Sequence, residues 1–125
     1  MKERGGGRII NVASMAGLHP PHQTSVSGIS EAGGIMLAQV LACELGEPNI
    51  QVNLLVHGPV QIRVSRALWQ DAELMARYEA TVPLRRVGKP EDVAGETLSL
   101  ASSAADWVTG GVLVVEGVAT PVSVV

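Results

Sequence analysis

The chain has 125 residues, of which 46% are hydrophobic and 17% charged, with a net charge of −3. That balance fits one globular domain and excludes a disordered chain, and no basic stripe with interleaved aromatics suggests a nucleic-acid surface. No uninterrupted apolar run reaches the ~18 residues of a membrane span, and no apolar segment follows the N-terminal charges as a signal peptide requires. The expectation is a soluble intracellular protein, cytoplasmic, with an organelle left open. Trp69, Trp107 and Tyr78 are the only aromatics, so the core must be built from Val, Leu, Ile and Ala. Cys43 is the single cysteine. Its place in a helical pattern predicts a small buried apolar residue and no disulfide.

In chain order, Gly5-Gly6-Gly7 precedes the apolar run Ile9, Ile10, Val12. A phosphate-binding glycine loop follows a strand and opens a helix, and here the order is reversed, so the glycines predict a turn. Residues 8–13 predict a strand. A Pro/Gly loop follows, and Ser30 to Gly46 predicts a helix with Ser30 as its N-cap and Gly46-Glu47-Pro48 as its stop. Residues 50–56 read as a short strand apolar on both faces, as in a parallel sheet. Gln70 to Glu79 predicts a surface helix with Trp69, Leu74 and Met75 inward. Pro90, with Glu91 and Asp92 in the first turn, starts a helix to about Ser102. Residues 106–111 predict a turn and 112–116 a last strand.

The alternation of strands and helices predicts an α/β, partial Rossmann-like (doubly wound) fold with about three parallel strands and flanking helices. At least one edge of such a sheet stays open, which invites association.

Several stretches resemble the C-terminal half of the short-chain dehydrogenase/reductase family. Gly7-Arg-Ile-Ile-Asn-Val-Ala-Ser14 is similar to its strand carrying the catalytic serine. Ala42-Cys-Glu-Leu-Gly46 with Ile50-Gln-Val-Asn53 resembles the central helix and next strand. His57-Gly58-Pro59-Val60 resembles the Pro-Gly motif beside the nicotinamide. Arg86-Val-Gly-Lys-Pro-Glu-Asp-Val-Ala94 and the run Val108 to Gly117 resemble the last helix and strand. The resemblance implies a single domain, 1–125, equivalent to the family's C-terminal half, with the N-terminal dinucleotide-binding half absent. It also implies NAD or NADP as the family's cofactor, with Gly58, Pro59 and Val60 as cofactor-binding positions. The family reaction is hydride transfer between carbonyl and alcohol.

In that family a tyrosine follows the serine by thirteen positions and a lysine follows the tyrosine by four. Counted from Ser14, those positions hold Ser27 and Glu31, and Ser30-Glu31-Ala32-Gly33 against the family's Ser-Lys-Ala-Gly fixes the register. The catalytic candidates are therefore Ser14, retained, Ser27 at the tyrosine position and Glu31 at the lysine position. A serine is too weak an acid and too short for the tyrosine's task, and a carboxylate inverts the lysine's charge. The expectation is a truncated relative, inactive alone, that binds no cofactor by itself.

Other sets carry less. Ser14, His22 and Glu31 make a hydrolase-like trio on paper, without an elbow motif or oxyanion hole. His19, His22 and His57 lack metal-ligand spacing, and no metal is expected. Asn11 and Asn53 suit hydrogen bonding at strand ends as well as catalysis. Ile62 stands where the family often has threonine, and Glu116-Gly117-Val118 where Asp-Gly-Gly is usual. The expected partners are a second copy or a full-length relative, through the helix the family uses at its dimer interface. An alternative is a split oxidoreductase completed by another chain.

Overall fold

The computed structural model describes residues 1–19 and 25–117. Three parallel strands, β1 (Gly7–Ser14), β2 (Ile50–His57) and β3 (Val112–Val115), form a sheet in the order β1-β2-β3. The helices are α1 (Ser25–Leu45), α2 (Arg66–Trp69), α3 (Ala72–Thr81) and α4 (Pro90–Ala101). The expected α/β architecture is present.

β2 is the centre, and its sequence explains why. Val52, Leu54, Leu55 and Val56 are all 0% exposed, so both faces of the strand are covered, as an unbroken apolar run requires. The two-residue period of a strand splits them. Ile50, Val52, Leu54 and Val56 share one cluster with Ile35, Ala38 and Ala42 of α1 and with Ala13 and Met15. Leu55 points to the other face, where α4 packs against all three strands. Burying a Val or Leu stabilises by about 1.5–3 kcal/mol relative to exposure, so β2 is the main apolar contribution.

The two asparagines have structural roles. Asn53, 2% exposed, donates from Nδ2 to Val108 O at 2.7 Å and accepts from Gly111 N at 3.1 Å through Oδ1. It ties the turn before β3 to the sheet. Asn11 donates to Gly34 O at 3.3 Å and ties β1 to α1.

α1 begins at Ser25, five residues before the expected cap at Ser30. Gly28 accounts for the extra turn. A Cβ there would lie 2.9 Å from Ala16 O, so only glycine lets the helix start dock on the turn after β1. Ser30 is an interior residue, and its Oγ donates back to Ser27 O at 2.8 Å. By length and composition Val26–Leu45 could cross a membrane. Here Ile35, Ala38 and Ala42 bury one stripe against the sheet, while Val26, Ile29, Met36 and Leu37 are each more than half exposed. Cys43 is exposed and not buried as expected; its neighbour Ala42 takes the inward position.

The helix expected at 70–79 is α3, Ala72–Thr81, and the short α2 before it is a separate element. Asp71 caps α3, accepting from Glu73 N at 2.9 Å and Leu74 N at 3.0 Å. Leu74 is 45% exposed and not inward as expected, while Met75 is half-buried as expected, with Tyr78 on the same side. α4 starts at Pro90 as expected. Asp92 accepts from Lys89 N at 2.7 Å and receives both terminal nitrogens of Arg86 at 2.5 and 2.9 Å. Gly5 and Gly6 form the expected turn, both at positive φ.

Among the described residues β1 pairs only with β2. Val12, on the face of β1 opposite α1, is 55% exposed.

Candidate active site

The register aligns the carboxyl ends of the strands. Ser14 lies opposite His57, and His57 opposite Val115. Ligands in α/β sheets sit at this end. A cavity of about 450 Å³ opens there, lined by Ser14, Ser27, His57–Val60, Ile62, Tyr78 and Glu116 among others.

Ser14 closes β1 and caps the single turn that follows, its Oγ accepting from Ala16 N at 3.2 Å. Its backbone N–H donates to Glu31 Oε2 at 3.0 Å. Glu31 sits one helical turn after Ser27, so both share a face of α1. Ser27 is exposed and contributes a short hydroxyl to the cavity wall. The structure thus brings the three expected residues together, and the carboxylate of Glu31 is engaged on the backbone of the strand carrying Ser14. His22 lies outside the described residues, which leaves the hydrolase-like trio without a described base.

The Gly58-Pro59-Val60 stretch lines the same cavity, directly after β2. Gly58 N donates to Val115 O at 3.1 Å. A Cβ on Gly58 would lie 2.7 Å from Glu116 Cβ, so β3 presses against this turn. His57 Nδ1–H donates to Gly58 O at 2.8 Å. Ile62 is 39% exposed and offers no hydroxyl. Nearby Ser65 cannot replace it, because its Oγ is held in the local turn, bonding Val60 O, Ile62 O and Ile62 N.

Two residues reach the site that the sequence did not place there. Tyr78, on α3, lines the cavity. Its phenol pKa is moved up, first by burial and then by the Glu116 carboxylate. Glu116, just after β3, has both carboxylate oxygens shut away from water with no hydrogen-bond partner among the described residues. Burial raises its pKa, and His19 nearby opposes the rise. Glu116 carried a faint signal, as a departure from the usual aspartate. Tyr78 carried none, because only the fold of α2 and α3 brings it over the strand ends.

These residues fit a nicotinamide cofactor poorly. The cavity wall contains neither lysine nor arginine. Glu31 is held at the serine strand, Ile62 lacks the hydroxyl, and Glu116 adds a second carboxylate.

The comparisons agree on ancestry. A family profile described as "Enoyl-(Acyl carrier protein) reductase" matches residues 1–118. Dehydrogenase/reductase SDR family member 4 of Homo sapiens is 38% identical over 117 residues, covering 94% of this chain and 42% of its own length. A short-chain type dehydrogenase/reductase from Mycobacterium ulcerans superposes with a TM-score of 0.90 at 33% identity, covering 95% of this chain and 43% of that one. A gluconate 5-dehydrogenase from Burkholderia cenocepacia, solved with NADP and tartrate, gives 0.89 at 28% identity over 94% of this chain and 46% of that one. The chain therefore spans a little under half the length of these relatives. With the serine strand, the central helix and the last strand all in their expected order, the chain belongs to the short-chain dehydrogenase/reductase family.

Proposed function

We propose that this chain keeps the frame of a hydride-transfer site without its proton relay, and does not itself catalyse the family reaction. The observation that carries the reading is the bond from Ser14 N to Glu31 Oε2. A carboxylate, already engaged with the backbone, occupies the position where the resemblance places a catalytic lysine. A lysine there lowers the tyrosine pKa and stabilises developing negative charge. Glu31 does the reverse on both counts.

Ser27 supplies no comparable acid, and Tyr78 does not replace it. The surroundings of Tyr78 push its phenol pKa up, away from the neutral range a general acid needs. A positioned general acid contributes about 10²–10⁴ in rate and an oxyanion-stabilising group about 10²–10³. Losing both leaves a rate lower by about four orders of magnitude or more.

The chain's remaining role, in this reading, is assembly. The exposed apolar side of α1, with Val26, Ile29, Met36 and Leu37, suits pairing with a second copy or a full-length relative. Titration of the purified chain with NADH and NADPH, followed by nicotinamide fluorescence, tests the loss of function. No saturable response is expected, and micromolar binding would overturn it. A second reading, one part of a split oxidoreductase, is favoured by the open edge of β1 and exposed Val12. Co-purification with a separate dinucleotide-binding chain would support it.

A further inference from the structure

We propose that the cavity at the strand ends binds a small apolar molecule carrying a protonated amine, with Glu116 as its counter-charge. The proposal concerns ligand binding and is independent of whether hydride transfer is lost.

Three observations carry it. The cavity, at about 450 Å³, falls within the ~300–1,000 Å³ of small-molecule sites. Much of its wall is apolar, including Met15, Ile62, Val64 and Leu68. Glu116 lines it, and its carboxylate oxygens, closed to water in the wall, meet no donor among the described residues.

Buried polar groups are almost always hydrogen-bonded, and a buried charge needs a partner. Among the described residues the rest of the wall makes no such bond. His19 after β1 acts on Glu116 through space without bonding it, and Tyr78 on α3, whose phenol feels the Glu116 carboxylate, makes no bond to it either. The His57 Nδ1–H is directed to Gly58 O, and the Ser14 hydroxyl, which accepts from Ala16 N, makes no bond to Glu116. No lysine or arginine lines the cavity. An ammonium group supplies both the missing donor and the missing charge, whereas a carboxylate ligand meets repulsion. The close fit of Gly58 against Glu116 Cβ fixes the base of the side chain. Glu116 Oε2 also lies close to this turn, 3.2 Å from the position a Gly58 Cβ would take, so binding requires the side-chain torsions of Glu116 to turn an oxygen toward the entering donor.

The test is calorimetric titration of the 125-residue chain with benzylamine, benzyl alcohol and benzoate. These probes share a ring and differ in the group offered to Glu116. Benzylamine should bind saturably at millimolar or lower concentration, about tenfold or more tighter than benzyl alcohol, with benzoate weakest. Glu116→Gln should abolish the preference for the amine over the alcohol. Ile62→Trp, at a partly exposed wall position, should weaken all probes by narrowing the cavity. The proposal is overturned by equal affinity for amine and benzoate, by no saturable amine binding, or by an amine preference that survives in Glu116→Gln. NADPH titration of the same samples reports separately on the lost hydride chemistry, so failure of one reading is distinguishable from failure of the other.

Discussion

Replacing Glu31 by lysine restores the family residue on paper, yet the structure predicts a cost. Glu31 Oε2 accepts the Ser14 N–H at 3.0 Å, in a half-buried setting where α1 meets the end of β1. Lysine has no acceptor, so the amide loses its partner and a charged hydrogen bond disappears. Losses of this kind cost about 1–3 kcal/mol. For a domain near this length, 1 kcal/mol moves Tm by roughly 3–5 °C. Glu31→Lys should therefore lower Tm by about 3–15 °C in thermal unfolding followed by circular dichroism. Glu31→Gln, which keeps an acceptor oxygen, should lose distinctly less. If Glu31→Lys unfolds at or above the temperature of the unmodified chain, or if the two variants are equal, the bond to Ser14 contributes nothing and Glu31 is only a lost lysine.

Leu54→Ala, at a fully buried centre of β2, should cost about 2–5 kcal/mol in urea unfolding, and a cost below 1 kcal/mol would contradict the placement of the core. Glu116 has a raised folded pKa. The stability of its protonated form is thus present below the ordinary carboxylate range and lost as pH rises through the folded value. Glu116→Gln should accordingly gain on the unmodified chain as pH rises above the ordinary carboxylate range, and a difference that stays constant with pH would refute the burial argument. Asp92 is held at about 2 by the Arg86 guanidinium and the Lys89 amide. Its contribution is present above the ordinary range and lost as pH falls through about 2, so Asp92→Asn should flatten the acid limb of the pH–stability curve. Gly28→Ala should lower Tm, since its Cβ would lie 2.9 Å from Ala16 O; an unchanged Tm would show that the start of α1 is not docked there.

Most of the architecture could be read from residue patterns because its determinants are local. The unbroken apolar run of β2, the Pro90 start of α4 and the glycines before β1 each specify their own element. The start of α1 could not be read this way. Ser30 is a good cap in isolation, and the turn before it forms because Gly28 fits against a carbonyl far away in sequence. Asp71 was overlooked as a cap, so the start of α3 was set at Gln70, and the short α2 before it was not expected. At the site, Ser14, Ser27 and Glu31 were legible from spacing against the family pattern. The Glu31 bond to Ser14 was not, since the pattern shows which residue is missing and not what its replacement touches. Tyr78 and Glu116 come from different elements and meet only across the strand ends, where no sequence spacing records them.

In the proposed reading, Ser27 and Glu31 are the residues that chiefly prevent hydride transfer. This is tested most directly by joining this chain to the dinucleotide-binding half of a short-chain dehydrogenase and measuring NADPH-dependent carbonyl reduction with and without Ser27→Tyr together with Glu31→Lys. Turnover is expected only in the doubly substituted protein. Equal turnover in the unsubstituted fusion would contradict it.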